Sequence, residues 1–258
     1  MEYAIRNMSY KEFDLRRKET EVAFLPIGAC EVYGEHLPLG SDGMVAEYVA
    51  MEMAKRTNGI CLPLIPVGCS KALYGFPGTL TVQNRTLYHY AKDIIEGAVK
   101  WGYKKIFICQ GHLTNVAVMD DLVIDLKEEH PDVYFAQIDL WRFFKNNSFD
   151  VAEDTYSSQV GHACEVCSSV MKLVAGDLVQ PCADQPNYAV ADMQSYGEIN
   201  RYFAFDDISP NGTLGNPTKA TKEKGEILMQ RLLTRIEGFI QDWDKIMQTS
   251  CKNAKGGE

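Results

Sequence analysis

Two carboxylates and an imidazole, Glu31, Asp42 and His112, lie in polar, glycine-flanked stretches of the chain. These read Gly28-Ala-Cys-Glu31-Val-Tyr-Gly-Glu-His36-Leu-Pro-Leu-Gly-Ser-Asp42 and Gln110-Gly-His112-Leu-Thr-Asn115. Oxygen donors joined by one imidazole suit a divalent ion of borderline hardness, Zn²⁺, Mn²⁺ or Fe²⁺. Three protein ligands leave coordination positions open for water and substrate. An ion held that way lowers the pKa of water to as little as about 7 and polarises a carbonyl. Each residue alone has a plainer reading: Asp42 as a helix cap, His112 as a hydrogen-bonded loop histidine, Glu31 at the surface. Three of the five histidines, His36, His112 and His162, fall in such loops, and that convergence is the main sign of a catalytic site.

The elements that must position these groups alternate in type. Val22 to Ile27 is a β-rich run ending at Gly28, with Pro26 pointing to an edge or a strand end. Ser41-Asp42 supplies a helix cap, and Met44, Val45, Val49 and Met53 form an apolar face up to Arg56. Ile60 to Val67 reads as a second strand, apolar on both faces. Leu87, Tyr90, Ala91, Ile94, Ile95, Ala98 and Val99 describe a helix closed at Gly102. Lys104 to Cys109 is a third strand, Val116 to Leu126 a helix ending before Pro131, and Val133 to Leu140 a fourth strand. Strands alternating with helices imply parallel pairing through right-handed crossovers, hence a three-layer α/β/α sandwich with a mainly parallel sheet. Beyond Trp141 helices are expected from Ala163 to Ala175 and from Lys219 to Met247. Between them, 181–217 has little periodicity, as in a functional or partner-facing loop. One domain over 1–258 is expected. In such a sheet ligands sit beyond the carboxyl ends of the strands, where Glu31, Thr79, His112 and Trp141 fall.

Composition removes other classes. The chain has 258 residues and a net charge of −9, with no basic block, so binding to nucleic acid is not expected. Apolar residues make up 46% of it, too many for a disordered chain, yet no apolar run suits a membrane span. Charges in the first residues break any signal-like apolar core, so a cytoplasmic setting is expected, with the eight cysteines as reduced, mostly core thiols. Cys164-Glu-Val-Cys167 reads as a buried helix face rather than a redox or zinc motif.

Five ordered motifs resemble the creatininase (creatinine amidohydrolase) family. Pro26 to Asp42 is similar to its PxGxxEQHGxHLPLxTD, Phe76-Pro-Gly-Thr79 to FPGT and Gln110-Gly-His112 to NGH. Gly161-His162-Ala-Cys-Glu165 resembles HAGE, and Gly215-Asn-Pro-Thr218 with Lys224-Gly225 resembles its last conserved segment. The resemblance implies an α/β/α fold, commonly a hexamer, and metal-dependent hydrolysis of a C–N bond in a small cyclic or linear amide. It places the first metal's ligands on Glu31, Asp42 and His112, with Asp42 matching a carboxylate that bridges two ions. The second ion's other ligands are replaced: Tyr33 stands for a histidine and Thr114 for an acidic residue. One tightly bound ion per subunit is therefore expected.

By the same resemblance His162 acts on the leaving nitrogen as general acid/base, with Glu165 orienting it or capping the next helix. Tyr33 and Thr114 are placed with the catalytic groups, while Trp141, Thr79 and His36 are expected at or just behind the substrate. The implied reaction has water activated by the ion attacking an amide carbonyl. The alternatives are a catalytically silent relative that keeps fold, assembly and ligand binding, or a metal-dependent lyase or isomerase.

Overall fold

A computed structural model describes residues 1–154, 161–182, 187 and 203–255, with side chains to Ile246. Four β-strands, Val22–Ile27 (β1), Ile60–Cys61 (β2), Lys105–Gln110 (β3) and Tyr134–Asp139 (β4), pair in parallel in the order β2-β1-β3-β4. Successive strand residues face opposite sides, and both sides are covered. Ala23, Leu25, Ile27, Ile106 and Ile108 pack with Leu87, Ile95, Met119 and Leu122. Those partners come from helices Asn84–Lys100 (α3) and Asn115–Glu129 (α4). Phe24, Phe107 and Cys109 face the other way, against Val45, Val49, Met53, Val170, Leu232 and Ile236. These belong to Ser41–Arg56 (α2), Glu165–Ala175 (α6) and Lys222–Lys255 (α7). A short helix, Tyr10–Arg16 (α1), precedes β1 and is closed by a reciprocal Ser9–Glu12 capping box.

The chain leaves β1 through α2 to β2 on one side, then returns through α3 to β3 on the other. Helices α2 and α3 therefore lie on opposite faces, and the strand order reverses between β1 and β3. A crevice opens at such a reversal, beyond the carboxyl ends of the two strands.

Several expectations are corrected. The second strand is only Ile60–Cys61, because Pro63 and Pro66 withhold ladder donors; a bridge between Ile27 and Ile65 is all that continues it. Pro26 is not at an edge, since β1 is central. Its carbonyl accepts from Ile65 N at 3.0 Å, so its nitrogen faces the β2 side, where that strand has already ended. The fourth strand stops at Asp139, whose side chain accepts from Arg142 N at 3.0 Å and caps an unforeseen helix, Leu140–Asn146 (α5). Trp141 thus sits in the first turn of a helix. Ser41 and Asp42 do not cap α2; Gly40 does, without a side-chain bond, and Ser41 Oγ donates to Pro38 O at 2.6 Å. Most of the 181–217 stretch lies outside the described residues. No helix among the described residues is long and apolar enough to cross a membrane.

Candidate metal centre

Three loops meet at the reversal between β1 and β3, and glycines let them close. A Cβ on Gly28 would lie 2.3 Å from Gly43 Cα, and one on Gly111 2.2 Å from the Asp42 carbonyl oxygen. Neither clash can be relieved by a rotamer, since both partners are backbone. The start of α2 is therefore pressed against the ends of β1 and β3, which carries Asp42 to the crevice. Asn115, fully buried at the start of α4, ties the same loops together. Its Oδ1 accepts from Cys69 N at 2.9 Å and its Nδ2 donates to Gly28 O at 3.0 Å.

Glu31, Asp42 and His112 converge there, all buried, with one ligand atom from each within 4.8 Å of the others. His112 Nε2 lies 3.0 Å from Cys69 O and also meets the Thr114 hydroxyl, so that nitrogen carries the ring proton. Nδ1 is then a bare lone pair 3.2 Å from Glu31 Oε1 and 3.0 Å from Asp42 Oδ2. Three acceptors turned on one point need a positive charge between them. Burial opposes a proton on His112, but Glu31 and Asp42 outweigh it and raise its pKa well above the ordinary value. Burial likewise opposes charge on Glu31, yet attraction to His112, whenever that ring takes a second proton, outweighs it and lowers the Glu31 pKa. Asp42 is pushed up to about 6 by burial and by Glu31. Asp42 Oδ2 makes no aligned hydrogen bond in spite of its closeness to Nδ1. A buried, orphaned carboxylate oxygen aimed at an imidazole lone pair and a second carboxylate fits a divalent cation of borderline hardness better than it fits a proton.

Each carboxylate gives its remaining oxygen to an outer partner. Glu31 Oε2 accepts from Ser70 Oγ at 2.6 Å, and Asp42 Oδ1 from Trp141 Nε1 at 2.8 Å. Such contacts orient ligands and sharpen their basicity.

The three groups sit at the base of a cavity of about 440 Å³ that also includes Tyr33, Thr114, Trp141 and His162 in its wall. His162 is half-buried and held by its Nε2, 2.8 Å from Val32 O, while its backbone bridges to Leu214. Its ring lies against Tyr33, with centroids 4.4 Å apart, and against Phe205 at 4.9 Å. Burial lowers its pKa, only partly offset by the charge on Glu31, so it is neutral near pH 7. Ala163 follows it with a φ of 51°, the left-handed turn that starts the approach to α6. Tyr33 is buried, and burial with the nearby Asp42 charge raises its pKa well above 10, which keeps it a phenol.

Three expected site residues do not face the cavity. Glu165 is turned away from His162: Oε1 accepts from Glu153 N at 3.0 Å and Lys224 Nζ at 2.6 Å, and Oε2 from Asp154 N at 2.7 Å. A fully buried carboxylate so saturated fastens α6 to α7 and to the preceding loop. Thr79 Oγ1 accepts from Val32 N at 3.0 Å and shapes the loop behind Glu31. His36 is buried behind the wall, its Nε2 2.7 Å from Ser168 Oγ. Conversely, Ser70 binds Glu31, and Asp139, Arg142 and Lys145 line the cavity, none of which the sequence pattern singles out. Asp139 closes a strand and could have been found from that alone, whereas Ser70 carries no such signal. Cys164 and Cys167 also line the cavity, their sulfurs 3.7 Å apart at the start of α6.

A parallel sheet with a buried two-carboxylate, one-imidazole cluster at its reversal point has the architecture of a metal-dependent α/β protein. The chain belongs to the creatininase family: the model described as "Creatinine amidohydrolase" matches residues 6–240. It is 24% identical to the creatinine amidohydrolase of Pseudomonas putida, over 92% of this chain and 96% of that one. It is 23% identical to the mycofactocin precursor peptide peptidase of Mycolicibacterium smegmatis, over 86% and 85%. Among solved structures, a manganese creatininase superposes with a TM-score of 0.81 at 22% identity, covering 94% of this chain and 98% of that one. The putative creatinine amidohydrolase from Bacteroides fragilis does so at 0.75 and 24%, covering 93% and 96%.

Proposed function

We propose that this protein hydrolyses a C–N amide bond in a small molecule, using one divalent ion held by Glu31, Asp42 and His112. The observation that carries the reading is the convergence of Nδ1, Oε1 and Oδ2 on one point in the wall of a cavity. Relatives named for creatinine amidohydrolysis and for peptide cleavage have an amide C–N bond in common, which supports the bond type and leaves the substrate open.

When bound, the ion supplies an activated water and a polarised carbonyl. The chain's own groups do the rest. His162 Nε2–H is committed to the Val32 carbonyl, so Nδ1 is the basic nitrogen. Neutral at pH 7, it takes the proton from the attacking water and returns it to the amide nitrogen as the C–N bond breaks. Tyr33 packs along the imidazole and restrains it, and Trp141 holds Asp42 while walling the cavity.

A single ion is supported by what the remaining groups are doing. Asp42 Oδ1, the oxygen a bridging carboxylate would offer to a second ion, accepts from the Trp141 indole. Tyr33 stays a phenol, and the Thr114 hydroxyl is occupied with Cys69 O and His112.

Stripping the protein with a chelator and titrating back Zn²⁺ or Mn²⁺ tests this directly. One equivalent should restore turnover of at least one member of a panel of lactams, formamides and N-acyl compounds. Glu31→Gln should lose ion and turnover together. Two equivalents that survive dialysis would refute the single-ion centre. A retained ion with no amide ever cleaved would leave a ligand-binding member of the family instead.

A further inference from the structure

The wall of the cavity formed by α5 carries charge that the hydrolytic step does not use. Asp139, Arg142 and Lys145 all line it. Arg142 is matched to Asp139: its backbone N–H caps onto Oδ1, and its Nε lies 3.5 Å from Oδ2. Lys145, one turn further along α5, is half-buried and has no carboxylate within ion-pair distance among the described residues. Burial, then the neighbouring Arg142 charge, lower its pKa, and the more distant Asp139 carboxylate offsets this only in part. Apart from Glu31 and Asp42 at the ion site, the described residues of the wall add no further carboxylate, and Leu73, Leu113, Phe205, Ile208 and Leu214 make up much of it.

The charge balance of the whole cavity points the same way. Among the described residues three carboxylates, Glu31, Asp42 and Asp139, face two side-chain cations, so a divalent ion leaves one positive charge over. A concave, largely apolar site with an unmatched ammonium favours a ligand that brings the missing anion.

We infer that the α5 end of the cavity is an anion subsite, and that the amide taken by this protein carries a carboxylate held by Lys145, with Arg142 at the rim. The inference rests on the reading of Glu31, Asp42 and His112 as the hydrolytic centre. It narrows the substrate class from amides in general to acidic amides such as N-acyl amino acids. Lys145 touches the substrate remote from the bond that breaks, so it sets specificity without taking part in proton transfer.

Binding to the metal-loaded full chain provides the test, measured by calorimetry so that turnover is not needed. The probes are N-acetylglycine, N-acetyl-β-alanine and 4-acetamidobutyrate, each beside its neutral primary amide, together with N-acetylaminomethylphosphonate. At least one acid should bind about tenfold or more tighter than its amide, the size expected for a charge-assisted contact away from bulk water. The preference should weaken with added salt. Lys145→Met should abolish it and Lys145→Arg should retain it, with bound-metal content unchanged in both. Equal binding of acid and amide at all three lengths would overturn the subsite. So would a preference that survives Lys145→Met, since it would then come from the ion itself. A phosphonate that outbinds every carboxylate would overturn the carboxylate assignment. Lys145-dependent binding of acids that are never hydrolysed would sink the hydrolase reading and leave the subsite standing. Hydrolysis without any acid preference would do the reverse.

Discussion

Asp42 divides its two oxygens between different tasks, and that division is where the chemistry of this chain is decided. Oδ2 faces His112 and Glu31, while Oδ1 accepts the Trp141 indole N–H at 2.8 Å. Losing the indole donor would leave a buried carboxylate oxygen unpaired and free to rotate. Trp141→Phe keeps the aromatic bulk and removes only the donor, so it should weaken ion affinity by about 10–100-fold, the range for loss of an outer-sphere partner. Competition against a chelating dye measures it; unchanged affinity would mean that the indole merely packs. The variant also frees the oxygen that a second ion needs, so its stoichiometry should be read in the same titration. Tyr33 and Thr114 read from sequence as departures from a two-ion pattern. Their surroundings supply a reason for keeping them: one restrains His162, the other holds the proton-bearing nitrogen of His112.

At the scale of elements, backbone contact between loops brings Glu31, Asp42 and His112 together. Gly111 lies between β3 and His112, and its Cα hydrogen points at the Asp42 carbonyl, where a methyl would stand 2.2 Å away. Gly111→Ala must push the His112 loop off the start of α2. Misplacing a ligand by even an ångström is costly, because coordination distances tolerate only about ±0.2 Å. The variant should fold, retain its far-ultraviolet circular dichroism and yet bind the ion at least tenfold more weakly. If Gly111→Ala binds the ion as tightly as the wild type, the glycine is not what sets the ligand spacing. Helix α5 shows the same dependence on local geometry: Asp139 ends β4 and starts the helix, which swings Trp141, Arg142 and Lys145 into one wall.

Across the whole molecule, His36 couples the loop after β1 to α6 and makes stability depend on pH. It is buried, its Nε2 meets Ser168 Oγ, and its Nδ1 has no hydrogen-bond partner among the described residues. Burial, helped by the charge on Lys172, lowers its pKa from 6.5 to about 4. Below pH 6.5 the unfolded chain takes up a proton that the folded chain refuses until about pH 4. The stabilisation is therefore whole above pH 6.5 and is lost as pH falls toward the folded value, by about 3 kcal/mol at most. His36→Gln keeps a donor for Ser168 but cannot titrate. In urea denaturation the stability difference between wild type and variant should shift toward the variant by about 2–3 kcal/mol between pH 7.5 and 4.5. A difference that stays constant across that range would show that His36 is not a buried neutral imidazole.

The sequence by itself determined the alternation of strands and helices, because apolar periodicity is a property of neighbouring residues. It also singled out Glu31, Asp42 and His112, since glycine-flanked polar residues beyond strand ends are a local signal. Three residues that looked equally eligible, Glu165, Thr79 and His36, turned out to hold the scaffold. Their partners, Lys224 and the 153–154 backbone, Val32 N and Ser168, are distant in sequence or hidden in the main chain. Strand order, too, was a matter for the tertiary structure: which side of β1 receives β3 depends on where the crossovers pack. That choice opens the crevice, orphans one oxygen of Asp42 and leaves Lys145 with no carboxylate at ion-pair distance among the described residues. None of the three can be read from a single chain segment, because burial and pairing are relations between residues that only folding brings together.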